Sequence, residues 1–148
     1  MKIRLELDQS LTEVEVVIKT ARLDSQIEQI QRALEQATAP PLIFYKGSSE
    51  FFIDLDKILF FETDGTKIYG HTLDNAYEVR LKLYELEERL PYYFCRISKS
   101  TIANSKAIYS LEKSFSGTSS IRFYETHKEV HVSRHYYQFL KEKLNETR

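Results

Sequence analysis

The chain has 148 residues, 42% hydrophobic and 29% charged, with a net charge of −1. That length suits one domain with a small appendage and buries a core without staples, and the composition excludes global disorder. One cysteine and four glycines exclude an internal disulfide and a cysteine-built zinc site, and no phosphate-loop or dinucleotide motif is present, so no cofactor is expected.

The chain opens on two alternating runs. Ile3, Leu5 and Leu7 alternate with Lys2, Arg4 and Glu6, and Val14, Val16 and Ile18 alternate with Glu13, Glu15 and Lys19. Both patterns predict half-buried strands, with the turn at Asp8 to Ser10. Ile27, Ile30, Leu34 and Ala37 then recur at helical spacing. Ser25 with Glu28 fits a capping box at the helix start, and Pro40-Pro41 ends it. This ββα piece, residues 1–40, is too small to stand alone and is expected to pack on the rest or on a second copy of itself.

From Leu42 onward the pattern is short strands and turns. Leu42 to Tyr45 and Glu50 to Ile53 flank a turn at Gly47-Ser48-Ser49. Ile58-Leu59-Phe60-Phe61 is an apolar run of the length of a strand buried on both faces. Asp64-Gly65 signals a hairpin into Lys67 to Thr72, and Tyr77 to Leu81 follows. Leu83, Leu86 and Leu90 predict one short helix, stopped by Pro91. Tyr92 to Phe94, Thr101 to Ala103, Ala107 to Leu111, Ser120 to Tyr124 and Glu129 to Val132 complete the strands. A last helix is capped by Ser133 and carries Tyr136, Tyr137, Leu140 and Leu144 on one face. Residues 41–148 therefore read as a mainly β body, α+β overall, of the sandwich or barrel type.

The charge is not spread evenly. Residues 91–148 hold ten Lys/Arg against five Asp/Glu, whereas residues 41–90 hold six against ten. No acid lies between Glu88 and Glu112, while Arg89, Arg96, Lys99 and Lys106 fall there. Such segregation steers a polyanion to one face while the whole stays soluble. Arg96, Ser98, Lys99 and Ser100 stand together, and guanidinium, ammonium and hydroxyl groups suit phosphate oxygens and base edges. Arg134 and His135 form a second cationic cluster at a helix start, where free backbone N–H groups favour a phosphate. Taken singly, each cluster also fits a solvated loop.

Catalytic readings are weaker. Cys95 lies among Tyr93, Phe94 and Ile97, as a small core hydrophobe does. Glu62 and Asp64 could form an acid–base pair, but turn chemistry accounts for Asp64. His127, His131 and His135 are spaced by four, which aligns metal ligands only on a helix, and Val130 and Val132 around His131 read as a strand. No catalytic residue and no metal site is expected.

Four stretches, in order, carry a resemblance. They are Ile53 to Glu62, Leu83 to Leu90, Phe94 to Asn104 followed by Ile108, and Val132 to Tyr136 with Leu140. Together, from about Leu42 to Leu144, they resemble the LytTR family of DNA-binding domains. The resemblance implies stacked antiparallel β-sheets with a short helix and a C-terminal helix. It implies a regulator that binds double-stranded DNA at paired direct repeats, through loops entering successive major grooves. It places base contacts at Thr66 or Lys67, at Ser98 and Lys99, and at Arg134 or His135. Arg96 and Ser100 become phosphate-contacting or loop-shaping neighbours, and Asn104 a structural residue. Ser98 stands where many members carry His, which puts the base preference there in question. About 40 residues precede the match, too few for the receiver domain many members carry. The chain is therefore similar to the stand-alone type, with residues 1–40 serving dimerisation or signal input. A homodimer is expected, a membrane-protein regulator is left open, and no small-molecule substrate is implied. No apolar run approaches the roughly 20 residues of a membrane helix, and the acid in Met1 to Glu6 is unlike a signal peptide, so a cytoplasmic protein is expected. The rival reading is a protein-interaction module, an adaptor or anti-activator that has kept the fold without binding DNA.

Overall fold

The computed structural model describes residues 1–37, 41–114 and 116–146. Helix α1 (Ser25–Ala37) is followed by β1 (Phe44–Lys46), β2 (Ser49–Phe51), β3 (Phe60–Asp64), β4 (Lys67–His71) and β5 (Ala76–Val79). Helix α2 (Leu83–Arg89) leads into β6 (Phe94–Ser98), β7 (Thr101–Asn104), β8 (Ile108–Lys113), β9 (Ser119–Phe123), β10 (Glu129–Val132) and α3 (Arg134–Glu146). Single 3-10 turns precede β3 and β8. The strands form a seven-stranded sheet, ordered β2-β1-β5-β4-β3-β7-β6, and a three-stranded sheet, ordered β10-β9-β8. All pairings are antiparallel. The chain is mostly β with some helix, as its short alternating runs predict.

The apolar run at β3 divides the interior in two. Successive strand residues point to opposite faces, and here both faces are covered. Phe61 sits opposite Gly70 and Ile102, whereas Phe60 sits opposite His71 and Ala103. On the Phe61 side, Phe44, Val79, Phe94 and Ile102 pack with Leu83, Leu86 and Leu90 of the α2 segment. On the Phe60 side, Cys95, Ile97 and Ala103 pack with Ile121, Phe123, Val132 and Leu140 of the second sheet and α3. Gly70 makes the first core possible: a Cβ there would lie 3.0 Å from ring carbons of both Phe44 and Phe61. Asn104 holds the connections around β3. Its Nδ2 donates to Ile58 O at 3.0 Å and its Oδ1 accepts from Lys106 N at 3.0 Å, so a fully buried carboxamide is satisfied.

Several boundaries differ from expectation. The helix α1 is capped by Asp24, whose Oδ1 accepts from Ile27 N at 3.1 Å, and not by Ser25, which is its first residue. Pro40 of the expected Pro40-Pro41 stop lies outside the described residues. The strand expected at Tyr92 to Phe94 begins instead at Phe94 and runs to Ser98, because Pro91 and the turn after it occupy Tyr92 and Tyr93. Ser133 precedes α3, but its hydroxyl has no hydrogen-bond partner and makes no side-chain cap.

The largest difference is at the N-terminus. The turn forms at Asp8, with Leu11 N donating to Asp8 O at 3.3 Å and Ser10 N to Asp8 Oδ1 at 3.0 Å. The two flanking runs, however, are in no strand ladder. A lone two-stranded hairpin is marginal in water, and these runs have no cover in their own chain: Ile3, Leu5, Leu7 and Val14 are 82–92% exposed. Helix α1 has no buried residue and is held to α2 by polar contacts, Arg32 to Glu87 O at 3.0 Å and Gln36 to Arg89 O at 3.1 Å.

Candidate nucleic-acid interface

Four chain segments meet at one end of the sheets. Strands β3 and β4 are joined by the two-residue turn Gly65-Thr66, with Asp64 opposite Lys67. Gly65 takes φ +65°, a conformation glycine adopts without strain. Strands β6 and β7 are joined by Lys99-Ser100, with Ser98 opposite Thr101. Because β7 lies beside β3, the two turns are neighbours, and Thr63 N donates to Ser100 O at 2.9 Å. Ser133 N donates to Ile97 O at 2.9 Å, which brings the start of α3 to the same end of β6. The β8–β9 connection joins them through its described residues: Lys113 and Val132 both pair with Ser119, and the Arg134 guanidinium donates to Ser116 O at 3.2 Å.

Each residue expected to contact DNA falls on this end. Thr66 and Lys67 are exposed in the first turn, where Lys67 Nζ lies 3.7 Å from Glu78. Lys99 and Ser100 are exposed at the tip of the second, and Ser98 is half-buried at its base. The Ser98 hydroxyl accepts from Ser100 N at 3.2 Å. Arg134 and His135 are exposed on the first turn of α3, where backbone N–H groups and the helix dipole favour an anion. His135 stands edge-on to Tyr136 at 4.9 Å.

Arg96 has a different part from the rest. Its Nε donates to Ser98 O at 2.7 Å, a second nitrogen to Lys99 O, and a third to Glu87 Oε2 at 2.8 Å. The rigid fork of the guanidinium suits this geometry. Arg96 therefore braces the β6–β7 turn. Residue-level reading missed the contribution of the β8–β9 connection, with Ser116 and Gly117. Its Ser, Gly and Thr content is a loop signal, but its place beside Arg134 follows only from the register of β8, β9 and β10. Gly117 suits its place through its φ of +84°, left-handed backbone that glycine takes without strain; the Arg134 guanidinium over it is the free end of a flexible side chain.

A cleft runs beside the β6–β7 turn, lined by Glu62, His71, Ser98, Ser100, Lys128 and His131 among others. His71 stacks on Phe60 with ring centroids 4.3 Å apart. Its Nε2 lies 2.8 Å from Glu62 Oε1, off the direction of a well-formed hydrogen bond. Burial lowers the His71 pKa, and the Glu62 carboxylate pulls the other way.

Little here suits catalysis. Cys95 is buried, and that burial pushes its thiol up to about 12, the opposite of an activated nucleophile. Among the described residues, no three His, Cys, Asp or Glu side chains converge on a metal-holding site. Nor, among them, is any helix long and apolar enough to cross a membrane.

The family model for the LytTr DNA-binding domain matches residues 48–145. The chain belongs to the LytTR family. The LytTR match runs from the β1–β2 turn to the last turn of α3, so it takes in all four segments of the exposed end and leaves α1 and the N-terminal runs outside. Two Staphylococcus aureus proteins, from strains RF122 and NCTC 8325, are each 27% identical over 146 residues, covering 98% of this chain and 99% of their own length. Both bear the name of HTH-type transcriptional regulators. No helix-turn-helix pair occurs among the described residues here, since strands separate α1, α2 and α3. The solved LytTr DNA-binding domain of a Bacillus cereus protein superposes with a TM-score of 0.65 over 72% of this chain and 98% of that one, at 19% identity. This LytTR chain is accordingly a DNA-binding protein and not an enzyme.

Proposed function

We propose that this LytTR protein is a transcriptional regulator that reads paired direct repeats as a homodimer, its loops entering the major groove. The observation that carries the reading is the convergence of the β3–β4 turn, the β6–β7 turn and the α3 N-terminus on one end. That end carries Lys67, Lys99 and Arg134 as exposed cations. In this reading Thr66 or Lys67, Ser98 with Lys99, and Arg134 or His135 face base edges. Ser100 faces a phosphate, and Arg96 holds the second turn in shape. The N-terminal segment outside the family match is the place for protein partners, a second copy first and a membrane-protein regulator in control of it.

Fluorescence anisotropy of the full chain on its own promoter and on scrambled DNA, across a salt series, tests this. Preference for the promoter, with affinity falling steeply as salt rises, is expected of a base reader that also neutralises phosphates. Lys99→Ala and Arg134→Ala should each weaken promoter binding by about 1–3 kcal/mol and leave the melting temperature nearly unchanged. Equal weak binding to both DNAs would overturn the reading in favour of a protein-interaction module.

A further inference from the structure

We infer that residues 2–19 form a two-fold contact between two copies of this chain, each run pairing antiparallel with the same run of the partner. The contact deepens the homodimer reading above and uses no DNA-facing residue.

Exposed area is the first observation. The chain exposes 10795 Å², where a compact monomer of 17.5 kDa is expected to expose roughly 7,900 Å². The excess, on the order of 2,900 Å² per copy, is ample for a stable dimer, since obligate homodimers bury about 2,000–5,000 Å² in all. Much of it lies on Ile3, Leu5, Leu7, Val14, Val16 and Val17, each at least 59% exposed.

The turn disfavours pairing within the chain. Tight two-residue hairpins need left-handed backbone in the turn, and neither Gln9 nor Ser10 has a positive φ. The register that the Asp8–Leu11 turn would set also places Glu6 opposite Glu13, a like-charge pair that destabilises a ladder, against one opposite-charge pair, Arg4 with Glu15.

Pairing between copies removes that conflict. With Leu5 opposite its own copy, Ile3 faces Leu7, Arg4 faces Glu6 and Lys2 faces Asp8, each twice over. With Val16 opposite its own copy, Val14 faces Ile18 and Glu13 faces Lys19, again twice. An isologous interface has this self-complementarity: the same patch on both sides, each contact repeated. Arg4 and Glu6 already lie together in one copy, nitrogen to oxygen 3.0 Å, so the two-fold would close a square of alternating charge. One axis through Leu5 and Val16 serves both ribbons, which then stack with Ile3, Leu5 and Leu7 against Val14, Val16 and Ile18.

The test is the mass of the full chain by light scattering at micromolar concentration, with promoter binding by anisotropy measured in parallel. The wild type is expected as a dimer. R4E places like charges across the axis twice and should raise the dimer dissociation constant by more than about tenfold. The double variant R4E/E6R restores opposite charges across the axis and should restore the dimer. L5C should form an intersubunit disulfide on mild oxidation, since the two Leu5 positions meet at the axis, whereas Q9C in the turn should not; Cys95 is buried and does not compete. A monomeric wild type, a dimer indifferent to R4E, no rescue by E6R, or no L5C cross-link would each overturn the inference. Promoter preference retained by a monomeric wild type would leave the DNA reading standing; loss of promoter preference by a dimeric wild type would overturn that reading alone.

Discussion

Asn104 shows how one polar side chain can hold a fold together at a position where it contacts no ligand. It is 2% exposed, and both ends of its carboxamide are used, one on Ile58 O and one on Lys106 N. Asn104→Ala leaves a buried carbonyl and a part-buried N–H without partners, at about 1–3 kcal/mol for each. Urea unfolding should therefore show a loss of about 2–6 kcal/mol, with promoter preference kept wherever the variant is folded. The side-chain types were legible in the sequence and their duties only in part. Family resemblance marked Asn104 as structural. The contacts of Arg96 are not visible in the sequence, because Glu87, Ser98 and Lys99 gather around its guanidinium only once α2 and β6 are placed.

At the scale of elements, period-two alternation and turn residues located nearly every strand of residues 41–148. Their reliability comes from burial: an alternating run keeps its pattern because one face is covered. The N-terminal runs have the same pattern without cover, and there the expected hairpin does not close. Tyr92 and Tyr93 show the other limit, since aromatic residues after a proline look like a strand start when they are a turn. One tight contact is at β4, where Gly70 admits the rings of Phe44 and Phe61. Gly70→Ala forces a methyl into contacts of 3.0 Å with both and is expected to cost about 1–3 kcal/mol. Thermal melting checks this, and a simultaneous Phe61→Leu, which removes ring atoms from the same space, should recover part of the loss.

The whole molecule is two cores divided by one sheet, with the exposed cationic end at the rim of that sheet. The C-terminal bias toward positive charge was visible in the sequence, and so were the separate clusters around Lys99 and Arg134. Their meeting was not, because it depends on β7 lying beside β3 and on Ser133 hydrogen-bonding to Ile97. His71, facing the second sheet, gives the molecule a pH response. Burial holds its pKa below the ordinary 6.5, Lys128 adds to that, and Glu62 and Asp64 oppose it. The neutral ring is the form the fold favours, so the unfolded chain takes up the proton first. Its contribution to stability is full above about 6.5 and is lost as pH falls through the depressed value. The urea midpoint should drop on acidification below that point, and His71→Gln should flatten the drop; an unchanged slope would assign it to other groups.

Glu87 occupies an unusual junction. Its backbone oxygen accepts from Arg32 of α1, and its carboxylate grips Arg96, which in turn holds the carbonyls of Ser98 and Lys99. The helix next to the N-terminal runs is thus joined to the tip of the β6–β7 turn through three side chains, those of Arg32, Glu87 and Arg96, and one peptide carbonyl. Loss of the Glu87 carboxylate would cut this link at its middle and leave the β6–β7 turn held by Arg96 and the sheet alone.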